Sequence, residues 1–173
     1  GNHENFDGAF LCWVLEHIPE PQRVLEETKR VLQPGSTVYI TEVQNATFYI
    51  EPYSPAVLHY WNCFNELQRS IGGDPFVGAK LGNLLHDCGY TNIRTEIKTF
   101  FYDNRQPQKR EDMFSYCLSL LLSASENLIA AGYITTAEVE AVKKELTAAI
   151  ENKDGVFYYS FVQATAQTPA DLV

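Results

Sequence analysis

Residues 6–43, FDGAFLCWVLEHIPEPQRVLEETKRVLQPGSTVYITEV, decide the fold. Residues 6–14 are a short and nearly continuous apolar run, which is typical of a buried strand. A helix follows from Glu20-Pro21, because proline suits the first helical turn and an acidic side chain favours the positive end. Residues 37–43 are rich in β-branched and aromatic side chains and predict a second strand. Strand, helix and strand with short joints predict a βαβ unit with parallel strands.

The rest of the chain alternates helical patterns with two further strands. Apolar spacing predicts four helices, at 55–71, 77–88, 107–132 and 135–150. Alternating or apolar runs predict strands at 93–102 and 156–164. We therefore expect an α/β chain in which one domain, 1–173, contains two mostly helical insertions, 45–90 and 103–154.

Composition and charge exclude several classes of protein. Apolar residues make up 45% and charged residues 20% of the chain, a balance that argues against disorder. The formal net charge of −9 makes nucleic acid an unfavourable partner. Apolar runs such as 117–122 are too short to cross a bilayer, so we expect no membrane partner. Four scattered cysteines and no apolar leader predict reduced thiols in a cytoplasmic protein.

Three short motifs occur in order across the βαβ unit. FD at 6–7 opens the first strand, LEHIP at 15–19 follows it, and LQPG at 32–35 precedes the second strand. This ordered set resembles the second half of a class I S-adenosylmethionine-dependent methyltransferase, of the small-molecule type that includes the quinone-biosynthesis methyltransferases. The resemblance spans nearly the whole chain and is strongest over 6–43. It implies the C-terminal portion, strands four to seven, of a Rossmann-like methyltransferase sheet.

Two departures from that family stand out. Its glycine-rich cofactor loop after strand one, and the acidic residue that ends strand two, have no counterpart here, so we expect roughly 100 residues to be missing. The chain is then truncated and inactive alone, or a natural half-enzyme. Some relatives bind a divalent ion through Glu-x-x-Glu-His, but Trp13 replaces the first glutamate. Only Glu16 and His17 remain, and we predict no metal site.

The resemblance also implies a cofactor side. Leu11, Cys12 and Trp13 would pack on the methionine part of S-adenosylmethionine, although the same residues could be plain core. His17 would be the catalytic proton acceptor, since histidine titrates near neutrality. The alternative for His17 is a structural residue at the entry to a helix.

The acceptor side would be formed by the insertion after strand five. Five side chains would line an aromatic pocket for a small-molecule acceptor: Tyr49, Tyr53, His59, Tyr60 and Trp61. The alternative is that Tyr60 and Trp61 only cover the sheet.

Two other functions stay open. The chain could be a non-catalytic half-domain that pairs with another chain, or with a second copy as a homodimer, through the open edge of its first strand. It could also be half of a nicotinamide-dependent oxidoreductase, which the motifs at 15–19 and 32–35 disfavour. A glycine-rich loop encoded upstream would distinguish the enzyme from the pairing module.

Overall fold

The computed structural model describes residues 6–170, which form a five-stranded sheet and six α-helices. The elements are β1 (Phe6–Cys12), α1 (Pro21–Val31), β2 (Leu32–Val43), β3 (Tyr49–Glu51), α2 (Pro55–Ser70), α3 (Leu81–Asp87), β4 (Thr91–Tyr102), α4 (Pro107–Ser123), α5 (Ser125–Ala130), α6 (Thr136–Glu151) and β5 (Val156–Gln167). Short 3-10 turns occupy Leu15–His17, Asn45–Thr47 and Val77–Lys80. The predicted α/β class is confirmed.

The predicted βαβ unit is present, with β1 parallel to β2. Gly8 lies opposite Thr37 and Cys12 opposite Thr41, so the two strands end side by side. The LQPG segment is a bulge at the start of β2, in which Gly35 adopts a left-handed φ of 75°. This conformation favours glycine, and Pro34 before it prevents α1 from continuing into the motif.

β5 is the central strand of the described sheet. It pairs antiparallel with β2, from Thr37 opposite Gln167 to Val43 opposite Phe161. It also pairs with β3 and β4. β3 was not predicted, because three residues are too few to show an apolar period.

The chain divides into two units. The first contains the described residues up to Ala46, Gly72–Lys98 and those from Ser160 onward, and the second contains Thr47–Ile71 and Thr99–Tyr159. The predicted insertion 45–90 is therefore split. Its second half, which includes α3, belongs to the first unit because Leu81 and Leu85 are buried in that unit's core.

The core of the first unit lies on one face of its sheet. Leu11, Ile40 and Ala164 are paired in register across three strands and are at most 9% exposed. Leu25 of α1 and Leu85 of α3 are fully buried in the same cluster. The strand-to-strand pairing therefore fixes which side of each strand the helices cover.

The opposite face of this sheet displays aromatic side chains to solvent. Phe10 and Tyr39 are direct cross-strand neighbours, and they are 71% and 53% exposed. Phe6, on the same strand as Phe10, is 57% exposed. We expect an interaction surface here, because large apolar side chains grouped in this way are rare on a solvated face.

The second unit has its own core, built from α2, α4, α5, α6 and aromatic residues of the neighbouring strands. Phe114 is fully buried, and its ring meets Phe157 edge to face at 5.7 Å. α6 begins with the predicted capping box, in which Thr135 and Glu138 satisfy each other's backbone N–H groups. The apolar stripe of α6 contributes Val142 and Leu146 to this core.

By length and composition alone, the helical stretch Pro107–Ala130 could cross a membrane, and 28% of its apolar window is buried inside the chain. Core helices pass the same test. Phe114, Cys117, Leu121 and Leu128 of this stretch are buried in the second core, as expected for an amphipathic helix. The absence of a membrane partner stays a prediction.

We expect the exposed aromatic face of the first unit to drive self-association of the 173-residue chain. Replacing both Phe10 and Tyr39 by lysine should weaken self-association by at least about tenfold, because two aromatic anchors are lost. Sedimentation velocity over a range of concentrations measures this change. Ile71→Lys, at an apolar side chain that is 75% exposed in the second unit, is the control and should have no effect. A wild-type chain that stays monomeric throughout would contradict the prediction.

Candidate functional site

The turn that follows β1 has an unusual backbone conformation. Trp13 has a φ of 54°, in the left-handed region that bulky residues rarely adopt. Its N–H donates to the Thr41 carbonyl at 2.9 Å, and its ring meets Phe161 edge to face at 5.3 Å. Val14 then returns to the right-handed helical region before the 3-10 turn Leu15–His17. Such a conformation costs about 1–3 kcal/mol and is concentrated at functional sites.

A carboxyl group from the end of β2 holds this turn. Oε1 of Glu42 accepts hydrogen bonds from the N–H groups of Val14 at 2.9 Å and Leu15 at 2.6 Å. Glu42 is 0% exposed. The left-handed Trp13 followed by the right-handed Val14 turns successive N–H groups to one side, which is the geometry of a backbone anion site. Here the chain's own carboxyl fills that site.

The environment of Glu42 disfavours its charged form. Burial raises the pKa of the Glu42 carboxyl above its ordinary value, and the nearby Glu16 carboxyl raises it further. Backbone hydrogen bonds from Leu15, Val14 and Glu16 oppose this shift without cancelling it. Its second oxygen, Oε2, is buried and has no hydrogen-bond partner among the described residues.

The segment around Gly78 lies against the end of β2. A Cβ atom on Gly78 would sit 2.5 Å from the Val43 carbonyl oxygen and 2.9 Å from that of Glu42, so only glycine fits there. Asp74 N–H donates to the Glu16 carbonyl at 2.8 Å and extends this packing to the turn after β1. Both contacts join segments distant in sequence, which is why neither Glu42 nor Gly78 was predicted as a site residue.

His17 lies at the end of the turn, where its side chain is 64% exposed. Its Nε2 is 3.6 Å from Oε1 of Glu16, whose side chain is 11% exposed. The catalytic assignment of His17 stays a prediction.

The three residues predicted to contact the cofactor lie in different surroundings. Leu11 is buried in the first core, so its side chain is committed to packing. Cys12 and Trp13 are half-buried at the end of β1. Burial, followed by the charge of Glu42, raises the pKa of the Cys12 thiol, which makes it a poor nucleophile. Their contact with a cofactor stays a prediction.

The five residues predicted to bind the acceptor all belong to the second unit. Tyr60 and Trp61 are buried in its core, as in the alternative that they only cover the fold. The Tyr60 hydroxyl donates to the Leu121 carbonyl and lies 2.9 Å from Oγ of Ser125. This hydroxyl is therefore already satisfied, and only a rearrangement would bring it to an acceptor.

The other three predicted acceptor residues are accessible. Tyr53 is 67% exposed, and Tyr49 is 39% exposed with its hydroxyl bonded to Glu51 at 2.5 Å. The His59 side chain is 55% exposed, with Nε2 3.4 Å from Oε1 of Glu138. That these side chains form one acceptor site stays a prediction.

A metal site is not apparent in the part of the chain that the structure describes. No group of three or more His, Cys, Asp or Glu side chains within residues 6–170 is arranged to hold a metal ion. Glu16 and His17 stand next to each other without a third ligand.

The strand, turn and helix just described coincide with a family match. Residues 2–40 match the model of a family described as a methyltransferase domain. Over these residues, the match confirms the resemblance to methyltransferases that the motifs at 6–7, 15–19 and 32–35 indicated. Among curated proteins, no significant match is found.

Solved structures resemble this chain at low identity. Phosphoethanolamine N-methyltransferase 2 from Haemonchus contortus, in complex with S-adenosyl-L-methionine, is 12% identical with a TM-score of 0.45 over 95% of this chain and 33% of its own. A candidate methyltransferase from Bacillus halodurans is 14% identical, with a TM-score of 0.49, over 98% of this chain and 73% of its own. The cyclase SpnF is 18% identical, with a TM-score of 0.43, over 96% of this chain and 51% of its own. This chain thus spans between 33% and 73% of their lengths, and these likenesses assign no activity.

We expect Gly78→Ala to lower the free energy of unfolding by about 1–3 kcal/mol, because the new methyl group must displace backbone. Gly82→Ala is the matched control, since its Cβ would meet only the Thr95 methyl group at 3.7 Å. Gly82 lies in α3, where alanine should be neutral or stabilise by up to about 1 kcal/mol. Urea unfolding followed by circular dichroism measures both. Equal stabilities for the two variants would show that the Gly78 contact is not tight.

Proposed function

We propose that this chain is the C-terminal portion of a methyltransferase that transfers a methyl group from S-adenosylmethionine to a small-molecule acceptor. The supporting observation is that the methyltransferase match, residues 2–40, falls on β1, the strained turn at Trp13 and α1. Ligands of open α/β sheets bind at the carboxyl ends of the parallel strands, and this turn stands at that position.

The residues present fit the methionine end of such a cofactor. The Trp13 indole is half-buried at the end of β1, and an indole face attracts a sulfonium cation by cation–π interaction. In such a methyltransferase, strands one to three would make the other cofactor contacts.

The cofactor, when bound, supplies an electrophilic methyl group whose bond to sulfur breaks as the bond to the acceptor atom forms. The protein's part is to align the acceptor, exclude water and remove a proton. His17 would take that proton from an O–H or N–H acceptor, and Glu16 beside it would stabilise the resulting imidazolium. Tyr49, Tyr53 and His59 would supply the accessible side of the acceptor pocket.

The proposal extends to the setting of the protein. Four free cysteines, Cys12, Cys63, Cys88 and Cys117, support a reducing, cytoplasmic environment. The net charge of −9 supports a small-molecule acceptor rather than a nucleic acid. Binding to a membrane is not part of the proposal, and a homodimer would form through the open edge of β1.

Titration calorimetry with S-adenosylmethionine tests the proposal. We expect the dissociation constant of the 173-residue chain to lie above the micromolar range, which corresponds to a binding free energy of about −8 kcal/mol. The reason is that the chain lacks the contacts of a glycine-rich loop. The chain extended by its upstream coding sequence should bind at micromolar or tighter. Tight binding by the 173-residue chain would show that no cofactor half is missing, and no binding by the extended chain would refute the methyltransferase.

His17→Ala in the extended enzyme should lower turnover by about 10²–10⁴-fold, as expected for loss of a general base. The dissociation constant for the cofactor should change little, because the methionine end contacts the preceding residues. His86→Ala is the matched control, since His86 is 82% exposed and lies 3.3 Å from the neighbouring Asp87 carboxylate. If His17→Ala and His86→Ala have the same turnover as the wild type, His17 is structural.

A second candidate function is the non-catalytic half-domain that pairs with another chain. The exposed Phe6, Phe10 and Tyr39 on one strand and its neighbour favour it. A stable complex with an α/β partner, formed by an extended chain that binds no S-adenosylmethionine, would distinguish this function from methyl transfer.

A further inference from the structure

We propose that Glu42 is a positioning residue that sets the conformation of the turn after β1. The relevance of this turn to cofactor binding rests on the proposed function, but the effect of Glu42 on its conformation does not. The turn contains the residues that would face the methionine end of the cofactor, so its shape would decide whether the site is formed.

The geometry of the turn after β1 supports this role of Glu42. Two successive amides, Val14 and Leu15, converge on the same carboxyl oxygen, 2.9 and 2.6 Å away. They belong to a segment 28 and 27 residues distant from Glu42 in sequence. An extended strand end cannot present consecutive N–H groups to one acceptor, because they point to opposite sides. The left-handed Trp13 is what turns them together.

The energy of the Trp13 conformation supports the same role. The left-handed conformation of Trp13 is unfavourable by itself, so something in the surrounding structure must stabilise it. The Thr41 carbonyl accepts the Trp13 N–H, and Glu42 accepts the next two. When the Glu42 carboxyl is ionised, these hydrogen bonds are stronger than those between neutral groups. Glu42 therefore accepts two of the three N–H groups of Trp13, Val14 and Leu15.

The Glu42 carboxyl is kept at a cost to the stability of the fold. Glu42 is fully buried, Glu16 is nearby, and Oε2 has no described partner. A side chain selected for packing alone would be apolar at this position, since a buried unsatisfied oxygen is unfavourable. The arrangement is explained if the carboxyl is retained for the conformation that it imposes on the backbone.

The test uses the 173-residue chain without any ligand. Glu42→Gln keeps an acceptor oxygen at the same distance along the side chain, and Glu42→Met removes it with little change in length. Glu145→Met is the matched control, because Oε2 of Glu145 accepts the Val57 N–H at 3.0 Å in the second unit. If Glu42→Met does not fold, Glu42→Asp replaces it, since its carboxyl is one methylene short of the amides.

The first readout is hydrogen exchange of individual amides by NMR. In Glu42→Met, exchange at Val14 and Leu15 should accelerate by at least about tenfold, whereas Glu42→Gln should stay within about threefold of wild type. The second readout is the fluorine resonance of Trp13 in chain labelled with 5-fluorotryptophan. The chain has two tryptophans, so Trp61→Phe assigns the signals. The Trp13 resonance should move in Glu42→Met and not in Glu145→Met.

Rescue by glutamine with loss in methionine or aspartate supports the proposal. Unchanged exchange and an unchanged Trp13 resonance in the Glu42→Met or Glu42→Asp variant would overturn it, whatever the chain does to S-adenosylmethionine. The extended chain separates the two hypotheses. Its failure to bind S-adenosylmethionine counts against the proposed function alone, because both readouts are taken without ligand.

Discussion

The parallel pairing of β1 with β2 is the constraint on which the candidate site depends. Parallel strands end at the same edge of a sheet, and the register places Cys12 beside Thr41. The residues that follow, Trp13 on one strand and Glu42 on the other, are therefore brought together although α1 separates them in sequence. Gly78 then closes the end of β2 because its backbone can approach the Val43 carbonyl. A shift of one residue in this register would remove every one of these contacts.

The elements that could be predicted from sequence are those specified by local signals. Pro21 marks the first turn of α1, Gly35 marks the bulge before β2, and the Thr135 capping box marks the start of α6. Each acts within a few residues of itself, through fixed φ, a left-handed turn or a reciprocal hydrogen bond. Boundaries and class follow from such signals, and so does the family resemblance at 6–43.

The features that could not be predicted depend on contacts between distant segments. Helical spacing places Tyr60 and Trp61 on the apolar side of α2, but the same spacing serves a core and a binding pocket equally well. In this structure Tyr60 is buried, and its hydroxyl is bonded to the Leu121 carbonyl and to Oγ of Ser125. Glu42 did have a local signal, since it is the only charged residue in the apolar run TVYITEV, 37–43. An isolated acid in a buried strand indicates a partner whose identity only the fold reveals.

The position of β5 has a consequence for how the protein is made. β5 follows the other strands in sequence, yet it pairs with three of them, and the Ser36 N–H finds its acceptor, Oγ1 of Thr168, 132 residues later. Contacts of such high order slow folding, because the intervening loop must close before they form. At usual rates of translation, β5 is synthesised on the order of ten seconds after β2, and the edge of β2 stays unpaired until then. During that interval the nascent sheet is open to chaperones and to aggregation, and completion of the fold is a late, nearly all-or-none event.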